Sequence, residues 1–438
     1  MDIAVVVGLI LAIGILFCLI IGVPISISVG IASLISMLYI LFFQDALLSS
    51  AQRMFTGMNS FTLLAIPFFI LAGVIMNNGG IASRLIHCAR VLAGKMPGSL
   101  AHTNTIANML FGSISGSAVA AAAAVGTTMT PMQKKEGYST EFSASVNISS
   151  APTGMLIPPS NIMIVYSLAS GGTSIAALFL AGYIPGILWG LGCMLVAFFI
   201  ARHRKYTSHL SLGLKEKLFV ILDAIPSLLL IVIVIGGIVG GIFTATEGSA
   251  IAVVYSFILS LIYKAIKIKD LPRILLEATK ITSIVVFLIG VSSIMAWVMS
   301  FTNIPGLISD LLLSISDNTI IILLIMNLIL LIIGALMDPT PAVLIFTPIF
   351  LPIAMELGMD PVHFGVMMVL NVSIGTITPP VGPVLFIGVR VAKLKIESVV
   401  KPIMPFFFVI VGVLLIVTFV PAVSLWLPEL FGLVSGNG

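Results

Sequence analysis

The chain has 438 residues, of which 59% are apolar and only 8% charged, with a formal net charge of +4. A water-soluble protein carries roughly 25% charged residues, so this surface excludes a soluble enzyme or a nucleic-acid binder and implies a chain embedded in lipid. Three separated cysteines (Cys18, Cys88, Cys193) and five scattered histidines (His87, His102, His203, His209, His363) show no disulfide framework and no metal-ligand spacing.

Taken in chain order, Met1 to Phe43 is one apolar tract broken only at Gly22-Val23-Pro24. It lacks the pattern of a cleaved leader and is expected to form two structural spans, near 3–21 and 24–43. Placement of Lys and Arg sets the orientation of the later segments, because cytoplasmic loops are rich in them. All of the 20 basic residues except Arg53 fall into five clusters. These are Arg84/Arg90/Lys95, Lys134/Lys135, Arg202 to Lys217, Lys264 to Lys280, and Arg390 to Lys401. With the N-terminus outside, a loop around Asp45 is outside and a third span, 60–76, reaches the cytoplasm at the first cluster. Segment 99–132 is too long for one span, yet Lys134 and Lys135 return it to the same side, so it is expected to be a re-entrant hairpin. Segment 142–169 crosses outward, and 175–201 comes back to the richest basic loop. In the second half, 218–239 and 243–263 form a pair and 281–300 exits to a loop holding Asp310 and Asp317. A second hairpin, 319–353, returns to the outside at Glu356 and Asp360, 362–389 crosses inward, and 403–427 exits. The expectation is an all-α integral membrane protein with about ten spans, two re-entrant hairpins and both termini outside.

One offset of 221 residues aligns the halves without a gap from Pro131 to Pro159 and from Pro352 to Pro380. It pairs Gly137 with Gly358, Gly154 with Gly375, and Pro158-Pro159 with Pro379-Pro380. The loop at Lys134-Lys135 is inside and its partner at Glu356 is outside, so the repeats are inverted. The expected division is a first repeat over 1–174, a connecting span and basic loop over 175–217, a second repeat over 218–401, and a final span over 402–438. Inverted repeats with matched breaks are the pattern of a secondary transporter, whose site lies at the repeat interface near mid-membrane.

Gly, Pro, Ser and Thr gather at Ser113 to Ser117, at Met337 to Pro341, at Ser149 to Gly154, and at Ser373 to Thr378. Irregular backbone at membrane depth must be buried in protein or line a cavity, because lipid satisfies no N–H or C=O group. Broken helices expose carbonyls that bind cations and N-termini that attract anions. The candidate cation ligands are Ser115, Gly116, Ser117 and Gly154 in the first half and Asp338, Thr340, Gly375 and Thr376 in the second. Candidates for holding a solute are Ser115, Ser150, Pro152, Thr153, Asn161, Thr376 and Thr378. The alanine run 118–124 reads as close helix packing. Two acids fall deep in apolar surroundings, Asp338 at the second hairpin tip and Glu247, which reads equally well as a helix cap or an intramembrane charge.

At GSISGSAVA (112–120), APTGMLIPPSN (151–161), FTATEGSA (243–250) and GTITPPVG (375–382), the chain resembles the large, DctM-like membrane subunit of TRAP transporters, and the match runs over essentially its whole length. The resemblance implies an elevator-type, Na⁺-coupled importer in a bacterial inner membrane, with two or more Na⁺ sites. It also implies two partners, a separate small four-helix membrane subunit (DctQ-like) and a periplasmic binding protein. The implied substrates are organic acids such as C4-dicarboxylates, sialic acid and other sugar acids. A self-sufficient Na⁺/dicarboxylate symporter of the divalent-anion family shares the fold, but its Ser-Asn-Thr triplets are missing here. An intramembrane aspartyl protease needs a second aspartate facing Asp338, and an ATP-driven pump needs a GxxxxGK[ST] loop; the sequence contains neither.

Overall fold

The computed structural model describes residues 3–94, 96–206, 213–316, 318–379 and 382–434, so Lys95, His209, Asp317 and Pro380 lie outside the described residues. Apolar segments bounded by Gly and Pro become helices, since in lipid only a helix satisfies its own backbone. The first half runs α1 (Ile3–Ile20), α2 (Ile25–Ile40), α3 (Phe43–Met58), α4 (Ala65–Asn78), α5 (Ile81–Ala93), α6 (Ser99–Ser115), α7 (Ala118–Lys135), α8 (Thr140–Ser150), α9 (Thr153–Leu156), α10 (Asn161–Ala169) and α11 (Ile175–His203). The second half runs α12 (Leu214–Val239), α13 (Ala245–Ile262), α14 (Leu271–Phe301), α15 (Ile304–Ile315), α16 (Thr319–Leu336), α17 (Pro339–Glu356), α18 (Pro361–Gly375), α19 (Pro383–Ala392), α20 (Ile396–Phe419) and α21 (Ala422–Leu430). Among the described residues there is no strand, and nine helices are long and apolar enough to cross a bilayer. Two of the nine, α16 and α17, are the arms of one hairpin. The other seven, with α2 and the two broken helices, make the expected ten spans.

The repeat is visible element by element. The pairs α1–α2 and α12–α13, α5 and α15, hairpins α6–α7 and α16–α17, broken helices α8–α10 and α18–α19, and α11 and α20 hold the same serial places. Helices α1 to α4 and α12 to α14 pack on one another as a frame, with α4 along α13 and α14 along α2 and α3. The hairpins, the broken helices, α11 and α20 pack together as a core, and the two groups meet where α4 touches α6 and α10 and where α14 touches α17. Glycine sets the closest approaches in the core. Gly154 lies against Gly112, and Gly375 lies against Gly334, so in each half the first hairpin arm meets the broken helix backbone to backbone.

Several expected loops are helical. The segment around Asp45 is the 16-residue helix α3, which buries only Ala46 and Ser50 and turns Gln44, Asp45, Gln52 and Arg53 outward. Its 3.6-residue periodicity suits a helix lying along an interface rather than spanning it. Similarly, α5 and α15 replace the loops after α4 and after α14, and Asp310 sits on α15. The 281–300 span begins ten residues earlier, at Leu271. The last one stops at Phe419, where Pro421 turns the chain into the separate helix α21.

Candidate functional site

The two hairpin tips differ in how they turn. In the first, Gly116 takes a left-handed conformation (φ 61°), which lets α6 end and α7 begin within two residues. Ser117 caps α7, its hydroxyl accepting from the Ala120 amide at 3.3 Å. In the second, Asp338 occupies the N-cap position of α17, yet its carboxylate makes no capping hydrogen bond. The reason lies in the sequence: Pro339 and Pro341 stand at the first and third helical positions, so the third-position N–H that a cap usually accepts from does not exist. The carboxylate is left open for another partner, and no ion pair involves it among the described residues.

Both tips open on one cavity of about 250 Å³ at the seam between frame and core. Ser115, Gly116 and Ser117 line it from the first hairpin, Asp338 and Thr340 from the second, and Asn161 from the start of α10. Gly73 of α4 lets the Ser115 backbone approach closely, and the Asn161 amide rests against Gly116, where any side chain would collide with it. Six of the sequence-derived candidates therefore meet although residues from the two halves are 177 to 225 positions apart.

The other candidates lie away from the cavity. Ser150 is buried beside the first break, accepting from Asn108 Nδ2 at 2.8 Å and donating to the Val146 carbonyl at 2.6 Å. Pro152 and Thr153 are buried with it, and the Thr153 hydroxyl donates to the Ser150 carbonyl at 2.7 Å. Gly154 and Gly375 form the two backbone contacts with Gly112 and Gly334. At the second break, the Thr376 hydroxyl donates to the Ser373 carbonyl at 2.7 Å while its own carbonyl accepts from the Val384 and Leu385 amides, which closes the loop onto α19. The Thr378 hydroxyl donates to the Ile374 carbonyl at 2.8 Å. The breaks touch through the Ser373 hydroxyl and the Met155 sulfur at 3.7 Å.

Two cavity residues carry no motif. Asn77 lies in the last turn of α4 and Glu277 in the first turns of α14, facing the tips from the frame. Glu277 is hidden inside a run of basic residues that reads as a cytoplasmic loop. The sole signal in the sequence is that run's continuation into a helix. Glu247, in contrast, is explained locally. Its carboxylate accepts from the Thr244 amide and hydroxyl, both at 2.8 Å, while the Thr244 hydroxyl accepts from the Glu247 amide at 3.2 Å. This is a capping box at the exposed start of α13, and Glu247 does not line the cavity.

The family profile described as "Tripartite ATP-independent periplasmic transporter, DctM component" matches residues 12–423. The chain is 55% identical to the Salmonella typhimurium protein YgiK, with 94% of each chain covered. It is 40% identical to the C4-dicarboxylate TRAP transporter large permease protein DctM of Pseudomonas aeruginosa, covering 93% of this chain and 95% of that one. It is 37% identical to the sialic acid TRAP transporter large permease protein SiaM of Vibrio cholerae, covering 87% and 90%. Among solved structures, the YdaH transporter of Alcanivorax borkumensis shares the fold with a TM-score of 0.65, at 12% identity, over 86% of this chain and 89% of that chain. With the profile covering nearly the whole chain and these relatives aligned end to end, the protein belongs to the DctM family of large permease components of tripartite ATP-independent periplasmic transporters.

Proposed function

We propose that this chain carries a small organic acid inward across a bacterial inner membrane in symport with Na⁺. The observation that supports this most is the uncapped Asp338 carboxylate beside Ser115, Ser117 and Thr340 in a cavity walled by both frame and core. Carboxylate, hydroxyl and freed carbonyl oxygens are hard donors of the kind that hold Na⁺ without a transition metal's nitrogen or sulfur ligands. Such a cation, with the Asn161 amide and the α7 N-terminus, supplies the positive potential that a carboxylate solute needs where the cavity has no Lys or Arg. The named relatives handle a C4-dicarboxylate and a sialic acid, and a carboxylate is the chemistry the two share.

Asn77 and Glu277 lie at the cytoplasmic ends of α4 and α14 by the charge rule, close in sequence to the first and fourth basic clusters. The cavity accordingly opens inward. Sliding of the core against the frame would carry the tips to the outer side, which is the elevator form of alternating access. Membership of a tripartite family supports a small membrane subunit and an extracytoplasmic binding protein as partners. The reading is tested in proteoliposomes holding both membrane subunits and supplied with a loaded binding protein. Uptake should follow an inward Na⁺ gradient, and uptake that is unchanged when K⁺ replaces Na⁺ removes the coupling.

A further inference from the structure

The repeat is broken at one place, and the break leaves a cavity. In the first half, α11 runs on to His203, the chain turns sharply at Lys205 (φ 55°), and Tyr206 folds back over the base of the first hairpin. There the Tyr206 ring stacks on Tyr138 at 4.3 Å, its hydroxyl accepts from the Ser139 amide at 3.1 Å, and its carbonyl accepts from the Gly98 amide at 3.1 Å. Arg204 donates to the Ser139 hydroxyl at 2.9 Å. Residues 204–206 thus plug the base of that hairpin.

The 221 offset carries Tyr138, Ser139 and Gly98 onto Met359, Asp360 and Thr319, and matched turns precede both caps, with Gly137 at φ 79° and Gly358 at φ 83°. Asp360 caps α18 as Ser139 caps α8. The plug has no counterpart. Helix α20 stops at Phe419, Pro421 directs the chain into α21, and the same offset sets Leu425 opposite Arg204 in sequence. The result is a cavity of about 500 Å³ lined by Met359, Asp360, Thr319, Leu425 and Glu429, with buried His363 at its floor and no Lys or Arg on its wall. The His363 ring nitrogen is engaged with the Val417 carbonyl at 2.6 Å. By the charge rule this end of the core faces outward.

We propose that this outer cavity is a docking socket for a basic and aromatic projection of the extracytoplasmic binding protein, which fills in trans the place that Arg204 and Tyr206 fill in cis. Two features specify the occupant. The socket's shape is that of a site which the same fold closes with an arginine and a tyrosine. Its charge, Asp360 and Glu429, is complementary to a basic partner. The inference rests on the reading that such a protein delivers the solute. Docking here would let the loaded partner grip the base of the second hairpin, whose tip carries Asp338.

The test uses the permease with its small subunit in proteoliposomes, and the binding protein that best supports uptake among a panel of family binding proteins. Uptake is measured against the concentration of that solute-loaded protein. Glu429→Lys on the rim, and Asp360→Asn, which keeps the cap, should raise its half-saturating concentration about tenfold while maximal rate and Na⁺ dependence stay unchanged. Leu425→Trp should act in the same direction by filling the socket. If the Trp variant fails to assemble, Glu429→Lys decides. Unchanged half-saturation in Glu429→Lys and Asp360→Asn overturns the proposal, and so does loss of the small subunit on purification, which would place that subunit in the socket. Uptake of free solute at full rate without any binding protein overturns the parent reading instead, and the socket's occupant falls with it.

Discussion

At the residue scale, Asp338 shows how two prolines leave a common cap residue without its capping hydrogen bond. A capping aspartate contributes stability, whereas this uncapped one faces a cavity, where the proposed function gives it Na⁺ to hold. Asp338→Asn should raise the half-saturating Na⁺ concentration about tenfold or more, equivalent to roughly 1 to 3 kcal/mol, because an amide oxygen is a poorer ligand than a carboxylate. Its melting temperature should stay within a degree or two, and a large drop in melting temperature with an unaltered Na⁺ curve would return Asp338 to a structural role. Ser117→Ala should shift the Na⁺ curve in the same direction but less, and it also removes the cap on Ala120. Gly154 and Gly375 behave differently. A methyl group at either meets the backbone of Gly112 or Gly334. Gly154→Ala and Gly375→Ala should therefore each lower stability by about 1 to 3 kcal/mol, read as loss of melting temperature in detergent.

At the scale of elements, each broken helix is held by its neighbours where its own hydrogen bonds stop. The Ser149 carbonyl, freed near the first break, accepts from Trp189 Nε1 at 2.8 Å on α11. The second broken helix is tied by Asn371, whose amide donates to the Asn327 side chain at 2.8 Å, and Asn327 in turn donates to the Thr418 hydroxyl at 3.1 Å. The first of these bonds satisfies backbone near the break in a region without water, and the other two tie α18, α16 and α20 together through buried side chains. Trp189→Phe keeps an aromatic ring and deletes the donor, so it should cost about 1 to 3 kcal/mol by leaving the Ser149 carbonyl only the weak Cys193 thiol donor at 3.6 Å. The plug at the first hairpin base can be dissected in the same way. Tyr206→Phe retains the stack on Tyr138, and Tyr206→Ala loses it. The Ala variant should melt lower than the Phe variant, and equal melting points would show that the ring contributes nothing.

At the scale of the molecule, the placement of basic residues predicts which side each loop occupies. In a background where the three native cysteines are buried, Lys269→Cys should react with an impermeant maleimide only from the cytoplasmic side, and Ser316→Cys only from outside. The opposite pattern would invert every assignment of inner and outer cavity. Arg53, the basic residue outside the clusters, lies over the Trp297 ring at 5.4 Å. It anchors α3 to the end of α14 at the expected outer interface, where an aromatic ring and a cation both sit comfortably.

Composition and pattern by themselves determined the membrane class, the two hairpins, the matched breaks and the repeat, because apolar length, helix breakers and a constant offset are properties of the linear chain. Ser115, Gly116, Ser117, Asn161, Asp338 and Thr340 were legible as candidates for the same reason: small, hydroxyl-bearing or acidic residues are conspicuous in an apolar run. Only the tertiary structure decided which candidates share a cavity. Ser150, Pro152, Thr153, Gly154, Gly375, Thr376 and Thr378 look the same in sequence, but they close backbone contacts and hydrogen bonds at the breaks. The interfacial helices α3, α5 and α15 resemble loops in the sequence because hydropathy averages their two faces. Asn77, Glu277 and the outer socket are invisible there for a deeper reason. Each exists only where segments far apart in the chain pack side by side, and no local pattern encodes that meeting.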